Sequence, residues 1–97
     1  MKILLIGNGA REHIIAEKLK ASPKCKELIV YANKANPGIR KLASIYHVGN
    51  LGDMEAIRNF ARENKPDFAI VGPENPIADG VVNALDMIGI PSVAPMK

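Results

Sequence analysis

Two short segments of the 97-residue chain hold the residue types that could do chemistry. The first is Gly7-Asn8-Gly9-Ala10-Arg11-Glu12-His13. A glycine at its first position permits a sharp turn, and a second lets a ligand come close to the backbone. Free N–H groups at the start of the helix that follows, with the helix dipole, favour an anion of phosphate size. Arg11 could pair with that anion, Glu12 could accept from backbone N–H groups and fix the loop, and His13 could hydrogen bond or titrate. The same residues also read as a tight turn that binds nothing. Arg11 and Glu12 are then solvated first-turn residues and His13 a satisfied histidine behind them. The second segment is Val71-Gly72-Pro73-Glu74-Asn75-Pro76. Gly72 allows close approach and two prolines stiffen the turn, so Glu74 could accept hydrogen bonds from ribose hydroxyls or an amine. Equally, Glu74 could be only the acid that suits a helix start.

Other chemistries lack their residues. A dinucleotide site needs an acid at the end of the second strand, to hold ribose hydroxyls. Tyr31-Ala32-Asn33 offers none, and Glu12 stands where a third fingerprint glycine would be. There is no Gly-Lys-Ser/Thr phosphate loop, no Ser/His/Asp set and no metal-ligand spacing. No catalytic residue and no metal ligand is therefore assigned. His47 reads as a partly buried bystander on a short strand, and Cys25 as a surface or half-buried thiol without a role. Asn36-Pro37-Gly38 is a turn that matters only if it faces the same rim as the two segments.

The elements that must position these loops follow from the hydrophobic period. Lys2–Ile6 is a continuous apolar run, as in a buried parallel strand. A helix over Arg11–Ala21, with Ile14, Ile15 and Leu19 as its apolar face, stops at Ser22-Pro23. A strand over Glu27–Ala32, a polar loop over Asn33–Gly38 and a brief strand over Ile45–Val48 come next. Asp53 then caps a helix over Met54–Asn64, whose apolar face is Ile57, Phe60 and Ala61, and Pro66 closes it. The last elements are a strand over Asp67–Gly72, a helix over Ile77–Ile88 capped by Gly89, and a strand over Ser92–Ala94. Strands alternating with helices predict an α/β fold: a small open parallel sheet of about five strands with flanking helices, of the Rossmann type. Ligands of such sheets sit beyond the carboxyl ends of the strands, where strand order reverses. That rule selects the loops at 7–12 and 72–76.

Composition agrees with one globular domain: hydrophobic residues are 47% and charged residues 24%. The net charge of +3 comes from 13 Lys/Arg against 10 Asp/Glu, scattered along the chain. A nucleic-acid footprint needs a concentrated basic stripe, so none is expected. One cysteine makes no internal disulfide and favours a reducing, cytoplasmic setting. The opening apolar run ends at Gly7 and no apolar stretch of membrane length follows, so no membrane partner is expected.

Taken together, the two loops resemble one family. Ile6-Gly7-Asn8-Gly9-Ala10-Arg11-Glu12-His13 is similar to the glycine-rich start of the phosphoribosylamine–glycine ligases, also called glycinamide ribonucleotide synthetases. Val71-Gly72-Pro73-Glu74-Asn75-Pro76-Ile77-Ala78-Asp79-Gly80 resembles that family's second signature. Asn36-Pro37-Gly38 falls at its Asn/Pro/Gly loop, and Pro91-Ser92-Val93-Ala94-Pro95-Met96-Lys97 falls where its first domain gives way to an ATP-grasp part. The chain departs at Ala10, where the family usually has glycine.

The resemblance implies a pre-ATP-grasp, N-terminal substrate-binding domain over 1–97, without the ATP-grasp and C-terminal domains. It implies an enzyme that joins glycine to 5-phosphoribosylamine in purine synthesis, with glycine activated as an acyl phosphate. ATP and Mg²⁺ would sit in the other domains, with no cofactor in this chain. The partners implied are 5-phosphoribosylamine and the ATP-grasp domain. Gly7, Gly9, Ala10 and Arg11 would frame the phosphoribosyl end. Glu74, with Pro73 and Asn75 setting its loop, would face the ribose or the amine. With Glu12, these are the candidate substrate-binding residues. One alternative is the equivalent domain of another ATP-grasp enzyme, against which Arg11-Glu12-His13 argues. Others are a stand-alone nucleotide- or sugar-phosphate-binding regulatory module and an interaction domain.

Overall fold

Continuous apolar runs mark strands covered on both faces, because neither face can take polar residues. Such runs form the middle of this molecule. The computed structural model describes residues 1–7, 10–72 and 78–93, with the side chains of residues 10, 11, 78 and 79 excepted. In chain order the elements are β1 (Lys2–Ile6), α1 (Ala10–Ala21), β2 (Glu27–Ala32), α2 (Pro37–Leu42), β3 (Ile45–Val48), α3 (Met54–Asn64), β4 (Phe68–Val71), α4 (Ala78–Asp86) and β5 (Ser92–Val93). The five strands form one sheet in the order β3-β2-β1-β4-β5, with every pairing parallel.

Alternate residues of β1 and β2 serve two separate cores. Leu4, Ile6, Ile29 and Tyr31 pack with Ile57, Phe60 and Ala61 of α3 and with Val81 and Leu85 of α4. Leu5, Leu28, Val30 and Ala32 pack on the other face with Ala16 of α1 and Ile39 of α2. The sheet is thus doubly wound, and strand order reverses between β1 and β4.

Most of the expected elements are present, and α3 has its expected bounds and its Asp53 cap, whose carboxylate accepts from Ala56 N–H at 3.0 Å. One element differs in kind. The expected polar loop over Asn33–Gly38 stops at Asn36: a helix, α2, begins at Pro37 and runs to Leu42, as a parallel β2-to-β3 connection must cross over the sheet. Asn36 caps it by accepting from Gly38 N–H at 3.0 Å and Ile39 N–H at 3.3 Å, and Pro37 presets its first turn. Only Ile39 of its six residues is buried, so it carries no readable period. The expected helix over Ile77–Ile88 ends earlier, at Asp86, and Gly89 closes the turn beyond it at φ +79°. Ile77 and Ala94, the expected limits of that helix and of the last strand, lie outside the described residues.

The amino-terminal edge of the sheet is clamped by Lys2. Its Nζ donates to the Asn64 carbonyl at 2.7 Å, placing a cation at the negative end of α3. Its N–H donates to the Asp67 carboxylate at 2.8 Å. Lys65 ends α3 in the left-handed region at φ 49°, ψ 56°. An L side chain pays about 1 kcal/mol there, which glycine does not. Lys65→Gly is expected to stabilise the chain by about 0.5–1 kcal/mol, read as a higher thermal midpoint.

Tyr31 is the largest fully buried side chain among the described residues, and its hydroxyl donates to the Asn50 carbonyl at 2.9 Å. Burial, and then the Asp53 carboxylate, push its phenol above the ordinary value of 10.0. The folded state therefore holds the proton more tightly than the unfolded chain. That stability is complete below about pH 10 and drains as pH rises through the raised value. Denaturation profiles above about pH 10 should fall more steeply for the parent chain than for Tyr31→Phe.

Candidate functional site

Three parallel strands end in glycine at the carboxyl edge: Gly7 after β1, Gly49 after β3 and Gly72 after β4. Each donates one more hydrogen bond to its neighbour. Gly7 N–H reaches the Tyr31 carbonyl at 3.0 Å, Gly49 N–H the Ala32 carbonyl at 2.7 Å, and Gly72 N–H the Ile6 carbonyl at 2.8 Å. Because β1 and β4 are the strands between which the order reverses, Gly7 and Gly72 flank the ligand position of such sheets.

Glu12 joins them. It stands in the first turn of α1, yet it is 2% exposed. The reason is its register. Glu12, Ile15, Ala16 and Leu19 follow the i, i+3, i+4, i+7 spacing of one helix face, and that face turns inward. Ile14, expected on the apolar face, is rotated out and is 54% exposed. Glu12 is therefore not a solvated first-turn residue. A Cβ on Gly7 would lie 2.5 Å from Glu12 Oε1, and one on Gly72 would lie 2.6 Å from Glu12 Cδ. Each glycine leaves room for one carboxylate. Gly7 also takes φ +127°, which a side chain would resist.

Of the candidate residues, Gly7 and Glu12 are in direct contact at this edge, and Gly72 joins them. Ala10 and Arg11 place their backbone in the first turn of α1, and their side chains lie outside the described set. Gly9, Pro73, Glu74 and Asn75 also lie outside the described residues. The Asn36-Pro37-Gly38 segment meets α1 at His13: a Cβ on Gly38 would lie 2.5 Å from Cε1 of the ring.

His47 differs from its expected place. It is exposed, and its ring stacks on Tyr31 with centroids 5.2 Å apart and on Phe60 at 5.1 Å. A Cβ on Gly49 would lie 2.6 Å from Tyr31 Oη and 3.3 Å from His47 Nε2. Gly49 was not among the candidates. The signal for it was the repeated apolar-then-glycine ending, Ile6-Gly7, Val48-Gly49 and Val71-Gly72. Cys25 is half-buried, with its thiol 3.7 Å from the Glu27 carbonyl. Among the described residues no three of His, Cys, Asp and Glu gather where a metal ion could be held. No described helix is long and apolar enough to cross a membrane.

A doubly wound parallel sheet with glycine-ended strands at its switch point defines the chain as a Rossmann-like α/β domain. The C-terminal domain of a Pyrococcus furiosus hydrogenase has the same fold, with a TM-score of 0.63 at 15% identity, over 97% of this chain and 90% of that one. All of residues 1–97 match the family described as phosphoribosylglycinamide synthetase, N domain. Relatives named phosphoribosylamine–glycine ligase are 46% identical in Methanopyrus kandleri, 45% in Methanocaldococcus jannaschii and 44% in Pyrococcus furiosus. The match covers 100% of this chain and 22% of each relative. The chain belongs to the phosphoribosylglycinamide synthetase N-domain family.

The Gly7–Glu12–Gly72 contact makes a sharp demand on substitutions. Gly72→Ala should cost about 3 kcal/mol, the upper end for overpacking where the neighbour cannot move away. Combining it with Glu12→Ala removes the obstruction. The double variant should be more stable than the sum of the two losses by about 1 kcal/mol or more, measured by urea denaturation.

Proposed function

We propose that the chain is the N domain of a phosphoribosylamine–glycine ligase of purine biosynthesis, and that its carboxyl-edge rim forms one wall of the phosphoribosylamine site. The observation that carries this is the pairing of Gly7 and Gly72 across Glu12 at the strand-order reversal, in a chain of this family. Backbone N–H groups of the turn after β1, at the positive end of α1, suit the phosphate of a phosphoribosyl group. Gly7, Gly9, Ala10 and Arg11 frame that end in our reading. Glu74, with its loop set by Pro73 and Asn75, takes the ribose or the amine. Glu12 acts differently: buried at the junction, it braces the ends of β1 and β4 at Gly7 and Gly72 and leaves the ligand contacts to the loops.

Such a wall serves acyl transfer by position. Holding an amine against an acyl phosphate in attack geometry is worth up to about 7–11 kcal/mol. Enclosure also keeps a labile aminosugar from water. Both need more than one wall. We assign ATP and Mg²⁺ to an ATP-grasp partner domain. The described residues of this chain gather no metal-ligand group. We also infer a cytoplasmic setting, supported by the lone cysteine.

The test is ligand-dependent thermal stability with ribose 5-phosphate, a stable stand-in for phosphoribosylamine. At one hundred times its Kd it should add about 2.7 kcal/mol, a shift of more than about 10 °C for a chain this small. NADH should add nothing, since β2 ends without an acid. Stabilisation by NADH and none by the sugar phosphate would refute the reading. The 97-residue chain by itself should show no turnover of ATP and glycine with phosphoribosylamine, checked by phosphate release.

A further inference from the structure

His13 stands next to Glu12 but faces another way. Its side chain is 40% exposed, and Nε2 lies 3.6 Å from Glu17 Oε1, one turn further along α1. Its ring rests on Gly38. A Cβ there would lie 2.5 Å from His13 Cε1, 2.9 Å from Nε2 and 3.2 Å from Nδ1. All three atoms are within contact, so the imidazole fills the space that any other residue at 38 would claim. Contact with the loop after β2 is what α1 needs if that loop is to stay beside the loop after β1.

The turn so touched is fixed from its other side as well. The Tyr46 hydroxyl, from β3, donates to the Lys34 carbonyl at 2.6 Å and accepts from Asn36 N–H at 3.1 Å. β2 is the direct neighbour of β1, with Ile6 paired to Tyr31, so residues 36–38 follow the strand beside the glycine loop. Tyr46 sets the height of the turn, and His13 sets its distance from α1.

We propose that His13 is a positioning residue: its imidazole, seated on Gly38, ties the 36–38 turn to the glycine loop and makes that turn a third wall of the sugar-phosphate site. The inference rests on the reading that this rim takes a sugar phosphate, and it adds a loop and a residue to it. Gly38 is glycine because the ring must sit there. His13 acts through the turn and needs no contact with the reacting atoms.

The experiment is a titration of the 97-residue chain with ribose 5-phosphate, followed by backbone amide shifts, in parent, His13→Ala, Gly38→Ala and the double variant. In the parent, the amides of Asn36, Gly38 and Ile39 should move together with those of Gly7 and Gly72. His13→Ala should keep the parent's thermal midpoint to within a few degrees, as a half-exposed side chain allows. It should weaken binding about tenfold, as when the competent arrangement falls to about a tenth of the population. The response at 36–39 should vanish while that at Gly7 persists. Gly38→Ala, which expels the ring, should match it, and the double variant should bind no more weakly than either. Parental affinity in His13→Ala would overturn the proposal, as would additive weakening in the double variant. Shifts at Gly7 and Gly72 with none at 36–39 in the parent would overturn it alone and leave the proposed function standing. A parent chain that shows no shift anywhere would overturn both.

Discussion

The burial of one carboxyl group governs this molecule. Glu12 lies at 2% exposure where the ends of β1 and β4 meet the start of α1. Withdrawing a carboxylate from water costs several kcal/mol unless fixed polar groups receive it. The backbone around it must therefore be held still, and three features do so together. Gly7 takes a left-handed φ that clears the carboxylate. Gly72 lacks the Cβ that would strike it. The inward stripe of α1, continued by Ile15, Ala16 and Leu19, fixes the rotation that aims Glu12 at the junction. Any one of these without the others would leave a clash, a gap or an exposed apolar face.

The remainder of the fold supports that junction from two sides. α3 and α4 cover one face of the sheet and α1 and α2 the other, so β1 is enclosed on both faces. Lys2 binds the amino-terminal edge to the end of α3. The carboxyl edge is left to loops, and among the described residues side chains brace it at several points: Glu12 under Gly7 and Gly72, His13 against Gly38, Tyr46 under the 34–36 turn, Tyr31 beneath Gly49. A rigid scaffold with its ligand loops at one edge is how α/β sheets hold small anionic substrates. The whole chain matches a synthetase N domain, and the sugar-phosphate site we propose is assigned to that edge.

Much of this was legible in the residues. β1, β2, β3 and α3 have strong signals: apolar runs bounded by polar turns, and an Asp53 cap with a Pro66 stop. The position of the candidate site rests on topology, because alternating strands and helices admit few arrangements. The paired signatures at 7–13 and 71–80 pointed to the family found. Three things were hidden. α2 is too short and too polar to show a period. The rotation of α1 is hidden because Ile14 completes an apolar spacing, whereas the residue that turns inward is the carboxylic acid Glu12. Periodicity scores a carboxylate as solvent-facing, whatever the fold does with it. The exposure of His47 depends on β3 being the sheet edge, and strand order is a property of the whole chain. Of the two candidate loops, the contact between Gly7, Glu12 and Gly72 is described, while Gly9 and residues 73–75 lie outside the described set.

The central claim is that a sugar phosphate is held at the carboxyl edge between β1 and β4. The most direct measurement is where ribose 5-phosphate perturbs the protein, mapped by amide shifts across the whole sheet. The account predicts that the largest saturable shifts fall on Gly7, Glu12 and Gly72, and that the amino-terminal edge around Lys2, Lys26 and Asp67 stays silent. Shifts concentrated at that opposite edge, with Gly7 and Gly72 unmoved, would contradict it.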